Sequence, residues 1–221
     1  VAVERRGKVG NVLLEGVLAA QLHRIKRVRT KGRDLPFTDE AVAQAIEKLR
    51  AVPFDGLCRT SEKRYDLLTL GVSIDQTVEG ETKGRSLRFI DWEHPRNNAF
   101  HVTAEFRVAR TASHETRRPD IVCFVNGIPF VVIECKRRDE KDSLLAGIKQ
   151  HLRNQEEAEV PQLYTYAPVL IALNKEDGRY ATTGTPEKFW AEWKELHNPA
   201  TEIKTLLALP PRREEHDKLF T

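Results

Sequence analysis

"RRPDIVCFVNGIPFVVIECKRRDE", residues 117–140, is the stretch on which the reading of the chain turns. Two runs of β-forming apolar residues flank Asn126-Gly127, a dipeptide suited to a tight hairpin turn because both residues tolerate positive φ. Set into those runs are Asp120, Glu134 and Lys136, three charges that a plain buried hairpin would exclude. Side chains alternate along a strand, so Glu134 and Lys136 share a face with Phe130 and Val132, while Val131, Ile133 and Cys135 point the other way. Whether Asp120 joins them depends on register. A two-residue loop pairs Val125 with Ile128 and leaves Asp120 opposite Ile133, on the wrong face. A three-residue loop over Val125, Asn126 and Gly127 pairs Phe124 with Ile128 and brings Asp120 to the acidic face, and a bulge further along either strand has the same effect.

If the three charges converge, their chemistry is specific. Two carboxylates a few ångströms apart repel and resist joint ionisation unless a divalent cation lies between them. Oxygen-only ligation at a partly open site suits Mg²⁺, with Mn²⁺ as a substitute. The ligands would be Asp120, Glu134 and the backbone carbonyl of Cys135. A lysine two residues beyond the second acid can hold an attacking water or the charge that builds on a phosphoryl oxygen. That is a layout for phosphodiester hydrolysis. The plain alternative is a solvated strand end, where Glu and Lys at i, i+2 are commonplace.

The chain around this hairpin is long enough for a real core: 221 residues, 40% hydrophobic. Charged residues are abundant at 31%, but Lys and Arg exceed Asp and Glu by only three, so a basic face must come from clustering. The three cysteines, Cys58, Cys123 and Cys135, lack CxxC spacing and imply a reducing compartment without a zinc site. No signal-peptide core or membrane-length apolar run is present, so a soluble cytoplasmic protein is expected. The chain starts at Val1 and contains no Met, which reads as an excerpt of a longer polypeptide or as a sequence with methionines missing.

Helical spacing of Leu14, Val17, Leu18, Leu22 and Ile25 predicts a helix over 11 to about 27, capped by Asn11, with Glu15 at the edge of its apolar stripe. Thr38, Asp39 and Glu40 open a second helix carrying Val42, Ala45, Ile46 and Leu49, which ends before Pro53. Residues 71–110 alternate short apolar runs with turn chemistry and predict an antiparallel meander. After the hairpin, Leu144, Leu145, Ile148 and Leu152 mark another helix capped by Asp142 or Ser143, and "APVLIALN" reads as a buried strand. The order gives an α/β fold with one central mixed sheet flanked by helices. A domain over 1–185 and an extension or linker over 186–221 are expected.

"RPDIVCFVNGIPFVVIECK" resembles the PD-(D/E)xK nuclease motif. The longer run from "RFIDWEHPRNNAFHVTAEFRV" through "QHLRNQ" to "APVLIALN" and "ATTGTPEKFW" resembles the N-terminal endonuclease region of the restriction subunit of type I restriction-modification enzymes. The resemblance covers most of the chain. It implies a restriction-endonuclease-like core and Mg²⁺-dependent cleavage of double-stranded DNA, with Asp120 and Glu134 as metal-binding acids and Lys136 as catalytic lysine. It also implies modification and specificity subunits as partners, and an ATP-driven translocase elsewhere in the polypeptide, since no Walker A sequence occurs here. Glu15 matches an acid that many such nucleases add from the first helix; it could equally be the polar edge of that helix. Related nucleases often carry Gln-x-x-x-Tyr after the lysine strand, whereas here Gln150 is followed by Asn154. Both could contact phosphate or base, or simply face solvent on the side away from the leucine stripe.

Arg117 and Arg118 before the first acid, and Arg137 and Arg138 after the lysine, are candidate phosphate contacts. The basic run "HRIKRVRTKGR" reads first as a solvated helix end. Two other readings stand beside the restriction nuclease: a repair or junction-resolving nuclease of the same superfamily, and a non-catalytic DNA-binding or assembly module.

Overall fold

A computed structural model describes residues 11–25, 27–30, 33–78, 80–137, 142–175 and 177–194. At its centre is a six-stranded mixed sheet in the order β12-β11-β10-β9-β8-β5. Its strands are β5 (Phe100–Ala104), β8 (Ile121–Val125), β9 (Ile128–Cys135), β10 (Val169–Leu173), β11 (Gly178–Ala181) and β12 (Ala191–Glu192). β9 and β10 pair in parallel, and the described β5–β8, β8–β9, β10–β11 and β11–β12 ladders are antiparallel. A parallel pair needs a crossover. The connection contains helix α4 (Ser143–Asn154), which packs on β9 and β10, and the single turn α5 (Pro161–Tyr164). Residues 187–192, inside the expected extension, belong to this same sheet and its flank. No helix among the described residues is long and apolar enough to cross a membrane.

The first helix, α1, spans Glu15–Ile25 rather than starting at Asn11. Leu14 N–H donates to the Gly127 carbonyl at 2.8 Å, and the Leu14 carbonyl accepts the Leu18 N–H. Val12, Leu13 and Leu14 are all buried, which successive residues of a surface helix would not be. The entry chain is thus tied to the hairpin turn and the helix begins after it. Helix α2 (Asp39–Arg50) has the expected cap, Thr38 Oγ1 accepting from Ala41 N at 3.2 Å. Where a solvated helix end was expected, β1 (Arg27–Thr30) and β2 (Arg33–Pro36) form an antiparallel ribbon.

Helix α3 (Leu57–Leu70) has no counterpart in the sequence-based expectations. Its buried positions are Thr60, Arg64 and Leu68, so hydrophobic periodicity does not announce it. Arg64 donates to Thr165 Oγ1 and lies 4.0 Å above the Tyr166 ring, and burial lowers its pKa. The predicted meander is instead two separate ribbons and one edge strand: β3 (Val72–Val78) with β4 (Glu81–Leu87), β6 (Val108–Ala109) with β7 (Thr116–Arg117), and β5. Phe89 and Ile90, read as strand, lie beyond β4 as buried plugs.

The hairpin turn is built around a buried Asn126. Its backbone N–H donates to the Ala99 carbonyl, its Oδ1 accepts from Ala99 N, and its Nδ2 donates to the Phe89 carbonyl and to Asn98 Oδ1. Asn126 and Gly127 both have positive φ, 52° and 83°. A Cβ at Gly127 would lie 2.7 Å from the Leu14 carbonyl oxygen, so only glycine lets α1 dock there.

Candidate active site

The register that unites the three charges comes from a bulge and not from a longer turn. Val125 pairs with Ile128 across a two-residue Asn126-Gly127 loop, Phe124 pairs with Pro129, and Cys123 then pairs with Val131. Phe130 is the extra residue. Pro129 has no N–H for the ladder, so pairing is already interrupted where the bulge forms. From Cys123 onward the register runs Val122 to Val132 and Ile121 to Ile133, which carries Asp120 to the position beside Glu134. Asp120 Oδ2 accepts the Cys135 N–H at 2.8 Å, fixing the first acid against the end of β9.

Glu134 is fully buried, 0% exposed. Its Oε2 accepts from Gln150 Nε2 at 2.6 Å, Gln150 Oε1 accepts from Lys136 Nζ at 2.6 Å, and the ammonium lies 3.9 Å from Oε2. Gln150 therefore spans acid and lysine. Glu134 Oε1 is buried with no hydrogen-bond partner among the described residues. Burial first, and then the Asp120 charge, push the Glu134 carboxyl up to about 8, with Lys136 and Arg153 opposing. An orphaned buried carboxylate oxygen beside a second acid fits a hard divalent cation. Among the described residues, no three His, Cys, Asp or Glu side chains gather at one point, so the cluster brings together two carboxylates and no more.

The remaining candidates are distributed unevenly. Glu15 does not join the cluster: its Oε1 accepts from Arg50 at 3.2 Å, at the turn end of the hairpin. Glu134 is seven residues beyond Gly127, roughly 20 Å along β9. Arg117 is held by Glu159 through bonds of 2.5 and 2.8 Å, and is not free for phosphate. Its guanidinium holds the Glu159 carboxyl below the usual range. Arg118 is exposed, with Glu105 at 3.5 Å, and Arg137 is exposed. Arg138 lies outside the described residues.

Asn154 is 1% exposed, so the expectation of a DNA-facing or solvent-facing side chain is corrected. The buried positions of α4 are Ser143, Gly147, Ile148, His151 and Asn154, a stripe rotated away from Leu144, Leu145 and Leu152, which are half-buried. The cause is close approach: a Cβ at Gly147 would lie 3.1 Å from Ala172 Cβ and 3.6 Å from Lys136 Cγ. His151 and Tyr164, absent from the sequence-based candidates, sit under the site. The one signal for them was the glycine inside "LLAGIKQH", which marks close packing on that side.

The family described as type I restriction enzyme R protein N terminus matches residues 1–189, nearly the whole described chain. The chain belongs to that family. Among its relatives, the type I restriction enzyme HindI endonuclease subunit of Haemophilus influenzae is 30% identical over 190 residues, covering 85% of this chain and 17% of that protein. A Methanocaldococcus jannaschii protein named as the MjaIXP type I restriction enzyme endonuclease subunit is 32% identical over 127 residues, 57% of this chain and 12% of that protein. The chain thus spans less than a fifth of the length of these restriction subunits. The match runs from before α1 to Phe189 and so includes Asp120, Glu134, Lys136 and Gln150.

Proposed function

We propose that the chain is the endonuclease domain of a type I restriction subunit, with a PD-(D/E)xK core that hydrolyses DNA phosphodiester bonds with Mg²⁺ or Mn²⁺. The observation that carries this reading is the bulge at Phe130, which sets Asp120 beside Glu134 and Lys136 where a regular two-residue hairpin would separate them. Asp120, Glu134 and the Cys135 carbonyl would hold the cation, and Glu134 Oε1 is the atom left free for it. Bound there, the cation supplies charge neutralisation at the phosphate and acidifies water.

The chain's own residues do the positioning. Lys136, a fixed ammonium at the mouth of the site, hydrogen-bonds a water or a non-bridging phosphoryl oxygen as negative charge builds there. Gln150 keeps that ammonium from collapsing onto Glu134 by accepting from it at 2.6 Å while donating to the acid. Water attacks phosphorus in line and the bond to the leaving sugar oxygen breaks. One such site cuts one strand, so a double-strand break takes two domains or two successive cuts. Arg118 and Arg137 are the described exposed cations of the original set that remain suited to backbone phosphates. Double-stranded DNA, the modification and specificity subunits, an ATP-driven motor in the remaining polypeptide and a cytoplasmic setting complete the proposal.

The test is calorimetric Mg²⁺ and Mn²⁺ binding to the chain, wild type against Asp120→Ala and Glu134→Ala, followed by DNA cleavage in the assembled complex. Loss of binding and of cleavage in both variants is expected. Equal binding in all three would remove the chemical basis of the reading and favour a DNA-binding or assembly module.

A further inference from the structure

The buried stripe of α4 is unusual in what it lacks. At Ser143, Gly147, His151 and Asn154 it presents small or polar side chains to the sheet, and Ile148 is the single buried aliphatic residue on the helix. Apolar contact is non-directional and cannot by itself fix a helix's rotation about its axis. Hydrogen bonds can. His151, 0% exposed, makes two: Nε2 to the Ile171 carbonyl at 3.0 Å, and Nδ1 with Tyr164 OH at 3.3 Å.

Donor and acceptor roles along this path follow from the end groups. The Ile171 carbonyl only accepts, so His151 Nε2 carries the proton and Nδ1 accepts from the Tyr164 hydroxyl. Asn154 Oδ1 accepts from Arg153 at 3.0 Å, and the Asn154 side chain opposes the rise that burial imposes on the Tyr164 pKa. One directed pair of bonds then runs from the Tyr164 hydroxyl through the imidazole to the backbone of β10. It ends one residue from Ala172, the residue of β10 that pairs with Glu134 of β9. A neutral imidazole is required, and burial lowers the His151 pKa to about 4. Ring contacts add to the hold, with a tilted Trp190 ring 5.3 Å and an edge-on Tyr164 ring 6.0 Å from the imidazole.

We propose that His151 is a positioning residue: its two bonds lock α4 on β10 at the turn where the neighbouring Gln150 spans Lys136 and Glu134, and so hold the lysine ammonium where the reaction needs it. The inference rests on the nuclease reading of the site. It also separates His151 from an ordinary core residue, because its effect passes through Gln150.

The test compares His151→Phe, which keeps a ring but loses both bonds, with His151→Gln, which keeps a donor and an acceptor. In the ¹⁵N-labelled chain, exchange of the Gln150 side-chain amide with water is read by NMR, assigned through Gln150→Glu. In the assembled complex, single-turnover cleavage and DNA affinity are measured. His151→Phe is expected to expose the Gln150 amide to exchange and to slow cleavage about tenfold to a hundredfold at unchanged DNA affinity, with His151→Gln recovering most of both. Should His151→Phe fail to fold, Tyr164→Phe removes the same bond from the other side and is expected to show the same split. A Gln150 amide that stays protected in these variants, or cleavage that stays at the wild-type rate while Lys136→Ala is inactive, overturns the proposal. If Lys136→Ala cleaves like wild type, the nuclease reading fails instead, whereas the amide readout still decides what His151 positions.

Discussion

Glu134 keeps a proton that most carboxylates shed well below neutrality, because it is buried and faces Asp120 while Lys136, at 3.9 Å, only partly compensates. A cation binding there must displace that proton. Mg²⁺ affinity is therefore expected to rise by about one decade per pH unit as pH climbs towards 8, and to level off above it. Calorimetry across that range, in buffers of different ionisation enthalpy, would show one proton released per cation on the acid side. An affinity that is flat with pH would contradict the assignment of Glu134 as the ligand that titrates. Lys136 and Gln150 are not separable from this equilibrium, since Gln150 bonds both the acid and the lysine.

At the scale of elements, Asp120, Glu134 and Lys136 were legible because their spacing is local and strand alternation is strict, as was the need for an odd register. Which device supplies that register was not legible, since a longer turn and a bulge give the same parity. Pro129 is the residue that tips the ladder towards a bulge, and nothing in the spacing of charges reports it. Helix α3 and the buried stripe of α4 were missed for one shared reason: both dock through polar or small residues, Thr60 and Arg64 in the first, Gly147, His151 and Asn154 in the second, where apolar periodicity carries no signal. The bulge offers a direct test. Deleting Phe130 removes the surplus residue, so Pro129 and Val131 continue a regular ladder and Asp120 still meets Glu134. The deletion is expected to leave Mg²⁺ affinity within about threefold of wild type and to cost about 1–3 kcal/mol of stability through the lost contact with Trp92, 6.2 Å away. Loss of cation binding in a chain that urea titration shows to be folded would mean that the extra residue is absorbed elsewhere.

Over the whole molecule, the groups that shape the site also set how stability depends on pH, and their signs oppose. His151 has its pKa lowered from 6.5 to about 4, so the unfolded chain binds the extra proton and stability falls as pH drops through that interval. Glu134 is raised from 4.5 to about 8, so the folded chain binds the extra proton and stability falls as pH rises between those values. Where the intervals overlap, from 4.5 to 6.5, the two slopes cancel; above 6.5 only Glu134 acts, and below 4.5 His151 acts together with Glu159, whose carboxyl Arg117 holds low. Without Mg²⁺ the chain is therefore expected to be most stable on that plateau and to weaken towards pH 8. Saturating Mg²⁺ stabilises the ionised form of Glu134 and should abolish the alkaline decline. Glu134→Gln should abolish it as well, because the amide does not titrate. Urea unfolding of wild type and variant across this range, with and without Mg²⁺, is the measurement; parallel profiles for the two proteins would show that Glu134 is not the group whose proton the fold retains.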